Sequence, residues 1–127
     1  MTDLLDGAEL RTFLPTQDFE LSKRFYSALG FEQVADGEVA IFNTVGRCGI
    51  ILQRYYQKDW AENLMLSLLM HDLDAWWART ERADLAGAFG VQPPKAPKMQ
   101  PWGLRVGFVH DPCGVLWHMI QRPQAAG

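Results

Sequence analysis

The chain has 127 residues, of which 48% are hydrophobic and 21% are charged, a composition typical of one globular domain. Disordered and collagen-like classes are therefore excluded. The net charge of −3, with 12 basic residues scattered along the chain, argues against a nucleic-acid-binding surface. The N-terminus MTDLLDGAEL lacks the apolar core of a signal peptide, and no apolar run is long enough to cross a membrane. We therefore expect a cytoplasmic protein without a membrane partner.

The first half of the chain predicts a strand, a helix and three more strands. Asp18 is a favourable N-cap and Gly30 a favourable stop, and apolar residues recur at helical spacing between them. The predicted elements are a strand over 10–15, a helix over 18–29, a return strand over 31–34 and a hairpin over 39–55 that turns at Gly46 to Gly49.

The second half repeats this order. The run 64–70 is continuously apolar, which predicts a strand covered on both faces. The other predicted elements are a polar connector over 57–62, a helix from Asp72 to about 85, an irregular Pro-rich segment over 92–101 and a hairpin that turns at 111–114. The Pro-rich segment is either a lid or a stiff connector. Its Lys95 and Lys98 are interpreted as solvated loop charges, and His110 as a turn residue.

The two halves also contain similar sequence segments. VAIFNTVGRCGIILQR (39–54) aligns with LRVGFVHDPCGVLWHM (104–119), so that Cys48-Gly49 falls on Cys113-Gly114. Both cysteines are interpreted as small turn residues that stay reduced. Two similar units are expected to bury apolar faces that neither unit covers alone.

The turn at 111–114 predicts which side chains share a face of the last hairpin. If residues 110 and 115 flank the turn, then 107 lies opposite 118 and 105 opposite 120, which puts Arg105 and His118 on one face. Transferred to the first hairpin, this register puts Phe42, Gln53 and Tyr55 on the equivalent face.

Three segments resemble the vicinal oxygen chelate superfamily, which contains glyoxalases, extradiol dioxygenases and bleomycin- and fosfomycin-resistance proteins. They are TQDFELSKRFYSALGF (16–31), HDLDAWWART (71–80) and DPCGVLWHMIQ (111–121). The resemblance implies an α+β fold in which two βαβββ modules form a cupped, half-open mixed sheet. It also implies a single domain over 1–127 with modules at about 10–56 and 63–121, and a homodimer. Trp60, Trp76 and Trp77 are candidate interface residues, with burial of Trp76 and Trp77 inside the chain as the alternative.

Metal-dependent members of this superfamily place His or Glu ligands on the first and fourth strands of each module. By resemblance, these positions are Arg11, Gln53, Met65 and His118 in this chain. Arginine has no lone pair to donate, and a thioether is too soft for Mg²⁺ or Mn²⁺. We therefore predict no metal and no cofactor.

The resulting site prediction is a cup with aromatic walls and a few polar groups, the usual composition of a small-molecule site. Its predicted lining is Arg11, Phe13, Phe42, Gln53, Tyr55, Met65, Ser67, Arg105 and His118, with Trp102 at the rim. Alternatively, the aromatic and apolar members belong to the core and His118 is a hydrogen-bonded interior histidine. A charge at Arg11 needs a partner, either Glu32, Asp36 or Glu38 within the fold or a bound anion.

Two functions remain open at this point. The first is a metal-independent binding protein similar to the bleomycin-resistance branch; because two arginines face the cup, it would hold an aromatic, anionic or carbonyl-bearing ligand rather than a cationic one. The second is an enzyme, a lyase, isomerase or dioxygenase, with His118 as general acid or base or as a metal ligand together with Gln53.

Overall fold

The computed structural model describes residues 4–44 and 48–123, and the chain divides into two compact units at Gln57 and Lys58. The first unit contains β1 (Leu10–Pro15), α1 (Phe19–Leu29), β2 (Glu32–Ala35), β3 (Ala40–Asn43) and β4 (Cys48–Gln53). The second contains α2 (Lys58–Asn63), β5 (Met65–Met70), α3 (Leu73–Ala83), α4 (Leu85–Phe89), β6 (Lys95–Met99), β7 (Arg105–His110) and β8 (Leu116–Gln121). No helix in these described ranges is long and apolar enough to cross a membrane.

Both units contain a four-stranded mixed sheet with the same topology. The strand orders are β1-β4-β3-β2 and β5-β8-β7-β6. In each sheet the first strand runs parallel to the fourth, and the remaining pairs are antiparallel. The predicted α+β fold of two βαβββ modules is confirmed.

In the first unit, α1 packs on one face of its sheet. The Asp18 side chain accepts a hydrogen bond from the Leu21 backbone N–H at 3.1 Å, and Gly30 ends the helix at φ 118°. Fully buried Tyr26 lies 6.3 Å from the Phe42 ring, centroid to centroid. Burying a side chain of this size contributes roughly 1.5–3 kcal/mol, so these aromatic rings anchor the helix to the sheet.

In the second unit, side chains of β7 and β8 fix the start of α3. The Gln121 Oε1 accepts from the Leu73 backbone N–H at 3.0 Å, while its Nε2 donates to the His71 carbonyl at 2.7 Å. Arg105 on β7 makes a 2.6 Å ion pair with Asp74 in the first turn of α3. The buried face of the sheet beneath this helix carries Val109, Trp117 and Met119.

Two short helices occupy segments that were not predicted as helical. The polar connector over 57–62 is mostly α2, which buries Ala61. The second is α4, which contains Gly87, a residue type that destabilises the interior of a helix. Asp84 caps α4 through a 3.2 Å hydrogen bond from the Gly87 N–H, and a Cβ at Gly87 would overlap the Asp84 carboxyl group. Glycine is therefore part of this cap.

The Pro-rich segment is partly a strand. Residues Lys95–Met99 form β6 at the edge of the second sheet, with a register shift between Lys95 and Lys98 where it pairs with β7. Pro97 is tolerated because an edge strand leaves one row of N–H groups unpaired. The prediction of an irregular segment was wrong because proline composition does not distinguish a loop from an edge strand.

β5 is also an edge strand, and its two faces differ. Alternate residues are exposed in this chain, with Met65 at 63% and Leu69 at 41%. The prediction that both faces are covered was therefore wrong. A continuous apolar run can be produced by a strand with one covered face if the other face also carries apolar side chains.

The turn between β7 and β8 sets the register of the last hairpin. Asp111 Oδ1 accepts hydrogen bonds from the backbone N–H groups of Cys113 at 2.8 Å and Val115 at 2.9 Å, and the Asp111 N–H donates to the Val115 carbonyl. The residues flanking the turn are therefore His110 and Leu116. The predicted flanking pair, 110 and 115, was wrong by one position.

Replacing Asp111 with Ala removes the shared acceptor of two buried N–H groups, and an unsatisfied buried donor costs about 1–3 kcal/mol. We expect Asp111→Ala to lower the free energy of unfolding by roughly 3 kcal/mol in urea denaturation. Asp111→Asn keeps an acceptor oxygen and should lose clearly less. Equal losses in the two variants would contradict the acceptor role.

Candidate functional site

Each sheet has one face against its helix and one that we call the helix-free face. Paired residues on neighbouring strands share a face, so the observed registers assign every strand residue to one of the two. In the first sheet the helix-free face carries Arg11, Phe13, Ile41, Asn43, Gly49, Ile51 and Gln53. In the second it carries Met65, Ser67, Leu69, Phe108, His110, Leu116 and His118.

One row of neighbouring paired residues on the helix-free face crosses all four strands of the second sheet. Ser67 on β5 pairs with His118 on β8, His118 with Phe108 on β7, and Phe108 with Lys95 on β6. The sequence interpretation placed Met65, Ser67 and His118 on one face, and the structure does so too. It adds Phe108 and Lys95, which were not selected as site residues.

Two predicted site residues lie on the helix side of their sheets rather than on the helix-free face. In the observed register Arg105 lies opposite Gln121, on the helix side of the sheet. There its guanidinium makes an ion pair with Asp74. Phe42 pairs with Ile50 and is fully buried in the helix-side core. Both predictions were wrong because a register change by an odd number of residues transfers every side chain to the other face of a strand. The last hairpin differs from its predicted register by one residue, and the first, in which Phe42 was aligned with Gln53 but pairs with Ile50, differs by three.

Arg11 has partners within the first unit. Its guanidinium lies 3.1 Å from Glu9 Oε2, and its Nε donates to Asn43 Oδ1 at 3.2 Å. The predicted partners Glu32, Asp36 and Glu38 are not the ones found in these two contacts. Because the guanidinium has an ion-pair partner and a hydrogen-bond acceptor within the fold, Arg11 does not require a bound anion.

Glycine at position 49 makes the Arg11 contact possible. Gly49 lies on β4 between Arg11 on β1 and Asn43 on β3, so their hydrogen bond passes over it. A Cβ at Gly49 would overlap the Asn43 side chain and lie 2.6 Å from the Phe42 carbonyl oxygen. Because Gly49 has no side chain, the side chains of Arg11 on β1 and Asn43 on β3 can contact each other across β4.

The other predicted site residues of the first unit are accessible. Phe13 is 50% exposed and shares the helix-free face with Gln53, whose carbonyl accepts from the Thr16 hydroxyl at 2.6 Å. Tyr55 follows β4 and is also largely exposed, while its carbonyl accepts from the Thr16 N–H. In the second unit, exposed Trp102 lies in the turn between β6 and β7.

Four charged residues of the first unit, Glu20, Lys23, Asp36 and Arg54, lie on or against α1. Lys23 Nζ lies 3.0 Å from Glu20 and 2.9 Å from Asp36. The hydrogen bond with Asp36 raises the pKa of Lys23 and lowers the pKa of Asp36. Arg54 lies over the Phe19 ring at 3.9 Å. These charges are satisfied locally and join α1 to the turn after β2.

One ring nitrogen of His118 is buried without a hydrogen-bond partner in the part of the chain that the structure describes. Among the described residues, its Nε2 is the buried side-chain nitrogen or oxygen without a hydrogen-bond partner. The imidazole ring meets Phe108 edge-on, with centroids 4.9 Å apart. An unsatisfied buried group costs about 1–3 kcal/mol, so a ligand that supplies the missing hydrogen bond would recover that cost.

A cavity of about 220 Å³ adjoins this row within the second unit. Its lining residues are Gln92, Pro93, Lys95, Phe108, His110 and Leu116. Apolar and aromatic walls with a lysine and a histidine give it the chemistry of a small-molecule site. Phe108 would have been found with the correct register, but Lys95 would not, because no sequence signal marks the Pro-rich segment as a strand.

The matched turns change the equivalence between the units. The Thr44 N–H donates to the Cys48 carbonyl as the Asp111 N–H donates to Val115, so Cys48 corresponds to Val115 and not to Cys113. Ile51, rather than Gln53, is then the counterpart of His118. An alkyl side chain cannot bind a metal ion. Within either unit, no three His, Cys, Asp or Glu side chains of the described residues are grouped to hold one.

The sequence profile of the Glyoxalase/Bleomycin resistance protein/Dioxygenase superfamily matches residues 10–119, and the chain belongs to this superfamily. A bleomycin resistance protein of Klebsiella pneumoniae is 30% identical over 132 aligned positions, which cover 90% of this chain and 92% of that protein.

Solved structures share the fold. TnmS3, an antibiotic binding protein from Streptomyces sp. CB03234, has a TM-score of 0.73 and 25% identity, covering 91% of this chain and 95% of its own. A bleomycin-binding protein complexed with bleomycin has a TM-score of 0.71 and 23% identity, covering 91% of this chain and 98% of its own.

A methyl group at Gly49 should disrupt the contact between Arg11 and Asn43. Overpacking of this kind costs typically 1–3 kcal/mol, and we expect Gly49→Ala to lose about that much stability in urea denaturation. Gly37→Ala is the control, since a Cβ there meets nothing within 4 Å, and it should be neutral or slightly stabilising. Equal stability of the two variants would contradict the proposed role of Gly49.

Proposed function

We propose that the protein binds a small aromatic molecule, anionic or carbonyl-bearing, without a metal ion, on the helix-free face of its second sheet. The observation that carries this proposal is the cavity beside Phe108, with Lys95 and His110 among its lining residues. The bleomycin resistance protein relative and the antibiotic-binding TnmS3 support a binding role rather than identifying a ligand.

The charge preference rests on the cavity rather than on the arginines. Arg11 faces Glu9 and Arg105 faces Asp74, so both are largely neutralised. The described residues that line the cavity include a lysine and a histidine but no carboxylate. An anion at this position would gain a charge-assisted hydrogen bond, whereas a cation would be repelled.

Residue chemistry supports the proposed independence of a metal ion. Guanidinium, alkyl and thioether groups occupy the ligand positions at Arg11, Ile51 and Met65, which leaves His118 alone. One imidazole is fewer than the three protein ligands that catalytic metal sites use. Direct contacts from Met65, Ser67 and Trp102 of the second unit to the ligand also belong to this proposal, as does assembly as a homodimer.

An enzymatic function is the second candidate, because of one observation. His118 Nε2 is buried and unpartnered beside Ser67 in the register. An imidazole with a free nitrogen could take or give a proton on a bound carbonyl compound. In that case His118 would be the catalytic residue, and its loss would abolish turnover while leaving most of the binding.

A thermal-shift screen on protein treated with EDTA tests both candidates. We expect aromatic carboxylates to stabilise the metal-depleted protein, by about 2.7 kcal/mol or roughly 10 °C at a hundred times the dissociation constant. His110→Gln should reduce the shift by removing an imidazole that lines the cavity, whereas His71→Gln, at an exposed histidine, should not.

Other outcomes of the screen would contradict the binding proposal. Stabilisation that appears only after addition of Fe²⁺ or Zn²⁺, and is lost in His118→Gln, would indicate a metal site. Chemical conversion of a stabilising compound by the parent protein, absent in His118→Gln, would favour the enzyme. If cationic compounds stabilised the protein and carboxylates did not, the assigned charge preference would be wrong.

A further inference from the structure

The cavity beside Phe108 is too small for a whole drug-sized molecule. Sites for such ligands usually measure about 300–1,000 Å³, whereas a cavity of about 150 Å³ holds one benzene ring. At about 220 Å³, this cavity has room for one ring and one small substituent. The size of the cavity therefore selects a single-ring compound or one ring of a larger molecule.

The cavity has an apolar end and a polar end. Phe108 and Leu116 are partly buried on neighbouring strands, whereas Lys95 is exposed on the edge strand β6. Lys95 and Phe108 are directly paired, so the lysine side chain begins next to the aromatic wall. A ring bound against Phe108 would thus direct a substituent outward to the lysine.

Lys98 differs from Lys95 in one relevant respect. Both lysines are exposed, and both face residues of the helix-free face, Lys95 with Phe108 and Lys98 with Val106. Only Lys95 is among the residues that line the cavity. The two lysines lie at different positions along β7, Lys95 beside Phe108 and Lys98 beside Val106, so that one belongs to the cavity and the other does not.

We propose that this cavity binds an aryl carboxylate, with the ring against Phe108, Leu116 and Pro93 and the carboxylate on Lys95. His110 also lines the cavity but is paired with Leu116, so Lys95 is the group assigned to the carboxylate. This inference rests on the proposed function and makes it specific: the ligand carries an acidic group directly on, or one bond from, a single aromatic ring.

Isothermal titration of the full chain with benzoate and with benzamide tests the inference. Benzamide has the shape of benzoate without its charge. Losing one charge-assisted hydrogen bond weakens binding by about tenfold or more, so we expect benzoate to bind at least about tenfold more tightly than benzamide. Lys95→Gln should remove that difference, and Lys98→Gln, the matched control, should keep it within about twofold.

The outcomes separate this inference from the broader function. If Lys95→Gln binds benzoate as tightly as the parent, or if Lys98→Gln weakens it equally, the assignment of Lys95 is wrong although a small-molecule site remains. If benzoate fails to bind while larger aromatic compounds stabilise the protein in the thermal-shift screen, the cavity does not hold the ring. If no aromatic compound binds or stabilises, both the inference and the proposed function are wrong.

Discussion

The candidate site depends on how Asp111 closes the last hairpin. Its carboxylate accepts two backbone N–H groups, and the resulting turn makes His110 and Leu116 the first paired residues. That register places Phe108 next to His118 and sends Arg105 to the helix side. A shift of one residue would exchange the two faces and replace an aromatic and imidazole surface with one that carries the helix-side core.

Local sequence signals predicted most of the fold but not the pairing. The caps at Asp18, Gly30 and Asp72 were sufficient to place two helices, because a cap is a contact between residues close in sequence. The hairpin strands were also predicted. The register of the last hairpin was not, because it follows from the Asp111 side chain, whose hydrogen bonds close a turn of five residues rather than the predicted four. The turn of the first hairpin, predicted at Gly46 to Gly49, lies partly outside the described residues.

The same reason explains which site residues were predicted. Met65, Ser67 and His118 share a face as expected, because their strands follow a simple alternation. Arg105 and Phe42 were misplaced by the register, and Lys95 was overlooked because its strand contains a proline and an irregularity. The partner Asn43 of Arg11 was not predicted for a different reason: it reaches Arg11 across a glycine on an intervening strand.

The central claim is that the helix-free face of the second sheet binds an aromatic acid without a metal. The most direct measurement is a titration of ¹⁵N-labelled protein with benzoate in the presence of EDTA, followed by amide chemical shifts. We expect the shifts to concentrate at Lys95, Phe108, His110 and Leu116, which line the cavity. Shifts centred on Asp74 and Arg105 on the helix side, or saturable shifts confined to residues of the first sheet, would contradict the account.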